Sequence, residues 1–370
     1  MDVIDLFAGC GGLSLGFIQA GFDVKKAVEF DSVIANTYQL NHPGVEMIVD
    51  DIKNIDAEGT FAGDHSDIII GGPPCQGFSM AGARIRHGFI DDPRNYLFKH
   101  YFNVVKTVMP KVFIMENVKG IMTMQGGKIF EEIQRIFQDP VSLNGASYHL
   151  YHRVINAADF GVPQKRERII IIGILNANCD IDALWEKTKK EMRTETPSYF
   201  DAVTVRDAIG NLPPTTKNGE IDNPQPQTEY QKYLSCDAAT IGNHTKSMHS
   251  KTAIDRMKQV KNGENYTVLN EKINSVHSGS YGRLSWDEPA ATITTRFDTP
   301  AGGRFTHPDE NRTLTPREAA RIQSFPDSFV FTGDKRSISR QIGNAVPPKV
   351  SYFLARLVIN ILAVQYDIGE

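Results

Sequence analysis

Residues 2–16 read DVIDLFAGCGGLSLG, and this stretch decides the fold. Residues 3–7 are an apolar run with the length and composition of a buried strand. Glycines follow at positions 9, 11 and 12, and a helical pattern begins near Leu13. Glycines at such a turn let the backbone approach a ligand closely at the N-terminus of a helix. The stretch therefore predicts the first strand, turn and helix of a ligand-binding α/β sheet.

Short runs of β-branched residues alternate with helical patterns up to about residue 175. This alternation is typical of an α/β domain with a doubly wound, mostly parallel sheet. The predicted strands are residues 3–7, 23–29, 46–49, 67–70, 112–116, 148–156 and 168–174. The predicted helices begin near Leu13, Ser32, Asn95, Lys128 and Ile181.

A change of composition divides the chain. From about 195 to 310, prolines occur with many Asn, Thr, Ser and Gly residues and without a clean period, which favours a smaller, loop-rich domain with a helix near 250–261. Thr315 has the features of a helix N-cap, and 348–364 predicts an amphipathic helix. We therefore divide the chain into residues 1–194, 195–334 and 335–370, and expect the last segment to return to the first domain.

The composition is that of a soluble globular protein, with 41% hydrophobic and 23% charged residues among 370. The first residues lack a basic region, and no apolar run approaches the ~20 residues of a membrane helix, so we expect neither a signal peptide nor a membrane span. The four cysteines show no CxxC spacing, which indicates a reducing cytosol and argues against structural zinc. Because the net charge is −4, any surface that binds nucleic acid must be local.

Cys75 follows a predicted buried strand at 67–70 and the run Gly-Gly-Pro-Pro. The glycines and prolines break the strand and hold the next side chain at its carboxyl edge, where open α/β sheets bind ligands. A thiol placed there is a candidate nucleophile. A lone cysteine more often packs as a small hydrophobic residue. The position between Pro-Pro and Gln-Gly-Phe-Ser favours the nucleophile.

Glu116 ends another predicted strand and should lie in the same row of strand ends as Cys75. A plain surface carboxylate is the alternative interpretation. Residues 164–168, Gln-Lys-Arg-Glu-Arg, place cations just before the next strand. Guanidinium groups there could bind phosphate or steady a carbonyl oxygen, although a solvated charge run would have the same composition.

Glu29 closes the second predicted strand about 20 residues after the glycine turn, where an acid can accept hydrogen bonds from a ribose diol. Asp51 and Ile52 follow the third strand and could hold an adenine ring. The turn lacks the GxGxxG pattern that binds a pyrophosphate, which argues against NAD. A cofactor with an adenosine and no phosphate fits better, and S-adenosylmethionine meets that description.

Taken together, these motifs resemble those of the prokaryotic DNA (cytosine-5)-methyltransferases. Six stretches match the family's motifs in the family's order, and they cover the chain except for roughly 195–310. They are the glycine-rich cofactor motif at 5–17, the nucleophile motif at 73–76, the acid motif at 116–118, the basic motif at 164–168, the motif that supports the recognition domain at 315–327 and the final cofactor motif at 341–348.

The resemblance implies transfer of a methyl group from S-adenosylmethionine to C5 of cytosine in a specific double-stranded DNA sequence, with S-adenosylhomocysteine as product. C5 of cytosine is a weak nucleophile, so the Cys75 thiolate would add to C6 and activate the ring. Glu116 would hold N3 and the exocyclic amine, and Arg166 would contact the ring carbonyl or steady the surroundings of Cys75. The base must be flipped out of the duplex.

The resemblance also implies the remaining site residues and the roles of the segments. The catalytic residues would be Cys75, Glu116, Gln164, Arg166 and Arg168. The cofactor-binding residues would be Phe7, Ala8, Gly9, Gly11, Gly12, Leu13, Glu29, Phe30, Asp51, Ile52, Pro73, Asn344 and Val346. Residues 1–194 would form the catalytic and cofactor-binding domain, and 195–334 the target-recognition domain.

DNA contacts are expected from a lid at 79–95 and from the recognition domain. The candidate residues are Gln76, Ser79, Arg84, Arg86, Arg296 and Arg304. Basic clusters at 335–340 and 244–261 are predicted to bind phosphates without reading the sequence. We expect no metal, because the histidines lack Cys or acid partners in sequence.

Three alternatives stay open. A transfer-RNA cytosine-5 methyltransferase has the same architecture, but its Cys-Phe-Thr signature is absent here. A catalytically silent DNA-binding paralogue would have lost Cys75 or Glu116, and a nicotinamide oxidoreductase would bind NAD. We expect a monomeric bacterial or phage enzyme that acts in the cytoplasm on nucleoid DNA, either solitary or beside a separate restriction endonuclease.

Overall fold

A computed structural model describes residues 1–74, 96–177, 179–271, 273 and 277–366. Backbone contacts divide the chain into two compact units. The first unit comprises Met1–Ile155, Glu167–Pro197 and Val350–Glu370, and the second comprises Asn156–Arg166 and Ser198–Lys349. Compared with the segments drawn from sequence, residues 156–166 and 335–349 belong to the second unit.

A seven-stranded sheet forms the centre of the first unit, with strand order β3-β2-β1-β4-β5-β8-β6. Neighbouring strands from β3 to β5 are parallel, and β8 is antiparallel to β5. The predicted doubly wound, mostly parallel sheet is therefore confirmed. The strands are β1 (Asp2–Leu6), β2 (Asp23–Glu29), β3 (Glu46–Val49), β4 (Ile68–Gly71), β5 (Val112–Val118), β6 (Tyr148–Asn156) and β8 (Glu167–Leu175), while β7 (Gln164–Lys165) belongs to the second unit.

The strand order reverses between β1 and β4, because the chain first adds β2 and β3 on one side of β1 and then β4 and β5 on the other. Ligands of open α/β sheets bind outside the carboxyl ends of the strands at such a switch point. The register of the parallel strands brings their carboxyl ends to the same level. Leu6 pairs with both Val28 and Gly71, and Gly71 pairs with Met115. The next residue on each strand therefore belongs to one row: Phe7, Glu29, Gly72 and Glu116.

Helices cover this sheet, and most begin where the sequence predicts. They are α1 (Gly12–Gln19), α2 (Ser32–Asn41), α3 (Ala57–Phe61), α4 (Leu97–Val108), α5 (Lys128–Gln138), α6 (Ile181–Glu195) and α12 (Pro348–Tyr366). The buried Tyr101 of α4 donates its hydroxyl to the carbonyls of Ile69 and Ile114, which ties the helix to β4 and β5. Residues 335–365 contain an 18-residue window apolar enough to cross a membrane, but 78% of that window is buried inside the protein, as in a core helix.

The second unit has short elements joined by loops. Its remaining strands are β9 (Ile221–Asp222), β10 (Thr240–Ile241) and β11 (Ala290–Ala291), and its helices are α7 (Val205–Ile209), α8 (Glu229–Leu234), α9 (Lys251–Gln259), α10 (Pro316–Ile322) and α11 (Lys335–Asn344). Thr315 and Glu318 form a capping box at the start of α10. Helix α11 was not predicted from the sequence; Asp334 caps it by accepting a hydrogen bond from the Ser337 amide.

Buried ion pairs hold α10 in the second unit. Arg321 donates from Nε and Nη2 to the carboxylate of Asp327 at 2.8 and 2.7 Å, and both side chains are 1% exposed. Its Nη1 reaches the Asn211 side chain at 2.7 Å. All three guanidinium nitrogens are thus hydrogen-bonded to protein groups and shielded from solvent, which indicates a structural role.

We expect Arg321→Leu to lower the free energy of unfolding by about 3–5 kcal/mol, because it leaves a buried carboxylate without its bidentate partner. Denaturant unfolding measures the change. Arg206→Leu is the matched control, since Arg206 forms an exposed ion pair with Asp287 at 3.0 Å that should contribute little. Equal, small losses for both variants would contradict a structural role of Arg321.

Candidate functional site

The turn between β1 and α1 has an unusual backbone. Phe7, Gly9 and Gly11 all adopt positive φ angles, of 60°, 56° and 94°. A positive φ is costly for a phenylalanine, and such strain persists where the surrounding structure imposes it, often at ligand sites. At Gly11 a Cβ atom would lie 2.3 Å from Nε2 of His42. This turn therefore requires glycine for both backbone angle and space.

Glu29 fixes the turn to the end of β2. Its carboxylate accepts hydrogen bonds from the Gly9 amide at 3.0 Å and from the Asp31 amide at 2.9 Å. The residue is 7% exposed, and burial raises the pKa of its carboxyl group. The predicted ribose acid thus lies against the glycine turn, as the sequence interpretation requires.

A buried polar group beneath the turn was missed by the sequence analysis. Ser14 donates to Asp5 at 2.6 Å, and its hydroxyl lies 2.7 Å from that of Tyr38. Burial raises the pKa of Asp5 to about 7. Within the described part of the chain, Asp5 Oδ1 is buried without a hydrogen-bond partner. The sequence feature that could have identified this group is Asp5, an acid inside an otherwise apolar strand.

The other residues predicted to bind the cofactor differ in exposure. Phe30 is 64% exposed, so its ring face is open for stacking, whereas Ile52 is buried. Asp51 is partly exposed and pairs with the Lys53 ammonium at 2.9 Å. Pro73 is buried, and its carbonyl accepts a hydrogen bond from the Asn117 side chain at 2.8 Å. This last bond ties the end of β5 to the turn that leads into residue 75.

Glu116 lies at the same edge of the sheet. Its Oε1 is 3.0 Å from Nε of Arg168 on β8, and the two side chains are 11% and 19% exposed. The two groups form an ion pair, but their relative orientation does not meet the geometry of a hydrogen bond. Oε1 is therefore buried without a hydrogen-bond partner among the described residues. A Cβ atom on Gly72 would lie 3.3 Å from Oε2. The carboxylate therefore touches the backbone three residues before Cys75.

The basic motif at 164–168 divides between the two units. Gln164 and Arg166 are buried in the second unit, where Arg166 donates to the carbonyls of Ile293 and Gly343 at 3.1 and 3.2 Å. Gln164 donates to the Gln323 side chain at 2.7 Å. Arg168 belongs to the first unit, where it lies against Glu116. The sequence analysis treated Arg166 as the main candidate and had no signal that separated the two arginines.

Other predicted site residues belong to the second unit or lie outside the described residues. Arg296 is exposed at a turn, Arg304 donates to the Gly263 carbonyl, Asn344 ends α11 and Val346 is buried. Cys75, Gln76, Ser79, Arg84 and Arg86 all lie outside the described residues. In the part of the chain that is described, no three His, Cys, Asp or Glu side chains are arranged to hold a metal ion.

Known proteins share this chain's motifs over nearly its whole length. The family model for C-5 cytosine-specific DNA methylases matches residues 1–360. The chain is 37% identical to the Type II methyltransferase M1.HphI of Haemophilus parahaemolyticus, covering 98% of this chain and 87% of the relative. It is 35% identical to the Type II methyltransferase M.DdeI of Desulfomicrobium norvegicum, covering 97% and 88%. A prophage-encoded protein of E. coli, described as a DNA modification methyltransferase, has a crystal structure that matches with a TM-score of 0.75, at 30% identity over 98% of this chain and 99% of that one.

Proposed function

The chain belongs to the C-5 cytosine-specific DNA methylases, and from that premise we propose how its residues share the reaction. The enzyme methylates C5 of cytosine in DNA. The observation that carries the proposal is the Glu116 carboxyl, held beside Arg168 and against the turn that leads into Cys75. An acid and a cation at a strand end, with Cys75 three residues after Gly72 in sequence, suit covalent activation of a pyrimidine ring.

S-adenosylmethionine is the proposed methyl donor, and the features of the first unit fit it. The glycine turn offers backbone at a helix N-terminus, Glu29 offers a fixed carboxylate for a ribose diol, and Phe30 offers an open ring for adenine. Beneath the turn, burial raises the pKa of Asp5 to about 7 and leaves Oδ1 without a hydrogen-bond partner among the described residues. When bound, the donor supplies the electrophilic methyl group. For Asn344 and Val346, the proposed cofactor contact depends on the resemblance alone.

Gly11→Ala should weaken binding of S-adenosylhomocysteine at least about tenfold, or 1.4 kcal/mol. The added Cβ would clash with His42, whose ring packs 4.6 Å from that of Tyr38 and cannot easily move away. Titration calorimetry measures the change. Gly21→Ala is the matched control, because Gly21 has a φ of +89° but nothing within 4 Å of its Cβ position. If the two variants bind S-adenosylhomocysteine with the same affinity, the clash between the added Cβ and His42 does not affect cofactor binding.

In the proposed reaction the Cys75 thiolate forms a bond to C6 of the flipped cytosine, and the C5=C6 π electrons move to C5. Glu116 donates a hydrogen bond or proton at N3, which offsets the negative charge that the ring gains. Arg168 holds the Glu116 side chain and is the cation placed to meet the ring carbonyl. After methyl transfer, loss of the C5 proton restores the double bond and expels the thiolate.

The same proposal assigns Gln164 and Arg166 a positioning role, because their polar groups bind the second unit's own backbone and side chains. The proposed DNA contacts are Gln76, Ser79, Arg84 and Arg86 beside the nucleophile and Arg296 and Arg304 in the recognition domain. The relatives named above are Type II methyltransferases, which supports double-stranded DNA rather than transfer RNA as substrate. The proposed setting is the cytoplasm of a bacterium, where a monomer acts with or without a separate endonuclease.

Mapping of 5-methylcytosine tests the function. Genomic DNA from a methylation-free host that expresses the chain should carry 5-methylcytosine at one recurring sequence, and DNA from the host alone should not. Transfer RNA from the same cells serves as the second substrate. Methylated transfer RNA with unmodified DNA would overturn the proposal.

A further inference from the structure

Residues 245–251 of the second unit, here named the pinned loop, are held rigidly at both ends. Before the loop, His244 is 1% exposed, and its two ring nitrogens lie 2.9 Å from Thr315 Oγ1 and 3.0 Å from the Pro213 carbonyl. Within it, His249 Nε2 accepts a hydrogen bond from the Thr313 amide at 3.2 Å. Between these anchors Met248 is 88% exposed. A large apolar side chain is thus presented to solvent by a fixed backbone.

Lys246 and Lys251 lie within three residues of this methionine on the same loop. Five exposed basic residues on the pinned loop and near it form no ion pair within the described part of the chain: Lys246, Lys251, Arg296, Lys335 and Arg336. Other cations of the same unit do pair, as Lys232 does with Glu229 at 2.6 Å and Arg256 with Glu271 at 2.8 Å. Lys251 also occupies the first turn of α9, where the helix dipole disfavours a positive charge. Within the described residues no ion pair therefore neutralises Lys246 and Lys251, whereas the Asp298 carboxylate acts on Lys335.

Hydrogen bonds connect the loop to the other basic segments. Thr313 Oγ1 lies 3.2 Å from His249 Nε2 and donates to the Asp298 carbonyl at 3.2 Å. Asp298 follows Arg296 by two residues. Burial and then the nearby charge of Lys335 lower the pKa of His249, while the charge of Asp298 raises it. Lys246 and Lys251 therefore put positive charge on this loop of a chain whose net charge is −4.

We propose that the pinned loop is a contact for the DNA duplex, with Lys246 and Lys251 at backbone phosphates and Met248 in a groove against the apolar edges of bases. The inference depends on the proposed function and locates part of its DNA contact. Unpaired lysines on an acidic protein match a polyanion. An apolar side chain among them matches a thymine methyl group or a base step. Because the loop is already ordered, binding costs little conformational entropy.

The salt dependence of binding separates the two kinds of contact. For a duplex oligonucleotide that carries the mapped methylation site, Lys246→Ala should raise Kd and reduce the slope of log Kd against log salt by about 0.9. Met248→Ala should raise Kd about three- to tenfold and leave that slope unchanged, because it removes no charge. Lys190→Ala and Val141→Ala are the matched controls, since Lys190 is exposed on α6 and Val141 is 89% exposed, both in the first unit.

Each outcome has a distinct meaning. Thermal unfolding and S-adenosylhomocysteine binding of all four variants should equal those of the unaltered chain, and a variant that fails this check is replaced by Lys246→Gln or Met248→Gln. Unchanged Kd and slope for both loop variants would overturn the inference while leaving the methyltransferase intact. Failure of the unaltered chain to bind or methylate any duplex would instead overturn the proposed function.

Discussion

Cys75→Ser should lower methyl transfer to DNA by at least about 10³-fold, the scale of losing a covalent nucleophile. A thiol with a pKa of about 8.5 is partly ionised near neutral pH, whereas a serine hydroxyl is not, so the bond to C6 would not form. Single-turnover transfer of a labelled methyl group measures the loss. Binding of S-adenosylhomocysteine and of the duplex should change little, because the exchange replaces sulfur by oxygen and keeps the side chain's shape.

A trapping experiment isolates the covalent step. With 5-fluorocytosine in the target site, the C5 substituent cannot leave as a proton, so the unaltered enzyme should stay bonded to the DNA in denaturing gels. The Cys75→Ser protein should give no such band. Cys236→Ser is the matched control, since Cys236 is a free, partly buried cysteine of the second unit. A trapped adduct with Cys75→Ser, or none with the unaltered enzyme, would disprove the mechanism.

Glu116→Gln should slow methyl transfer by about 10²–10⁴-fold, the range of a lost general acid. The amide keeps the size of the side chain and can still donate a hydrogen bond, but it cannot transfer a proton to N3. The loss should appear in the single-turnover rate and only weakly in Kd for DNA. Loss of charge opposite Arg168 could also lower stability, so thermal unfolding is measured in parallel.

Glu167→Gln provides the control for the loss of a carboxylate next to Arg168. Glu167 pairs with Lys119 at 3.0 Å, and the two side chains are 56% and 58% exposed. Its replacement should therefore leave rate and stability nearly unchanged. Equal rates for the two variants would show that Glu116 takes no part in the chemistry.

Much of the fold could be predicted from local patterns. The bounds of β2, β3 and β6 agree with the predicted strands, and α2, α5 and α6 begin at the predicted residues. These elements carry their own signals: β-branched runs for the strands, and Asp31 and Asp180 as N-caps for two of the helices. Helix α11 was missed because its residues, Lys335 to Asn344, were interpreted as a basic cluster and as the start of the final cofactor motif.

The candidate site, like the fold, could be predicted from the sequence only in part. The residue types of the row Phe7, Glu29, Gly72 and Glu116 were predicted because each lies at the end of a recognisable strand or just after it. The roles of Arg166 and Arg168 were not separable, because both belong to one short motif with the same chemistry. Their separation depends on which carbonyls and carboxylates surround each guanidinium, and those partners lie up to 177 residues away in sequence.

The amino-acid sequence by itself determined the α/β class, the strand ends that carry the chemistry and the methyltransferase family, because each is encoded in short-range patterns of glycine, β-branched and acidic residues. Only the tertiary structure decided that Arg168 lies against Glu116, that Asp5 is buried, and that Met248 is exposed beside lysines that form no ion pair within the described residues. The physical reason is that burial and charge pairing depend on neighbours brought together by folding, and these neighbours are distant along the chain.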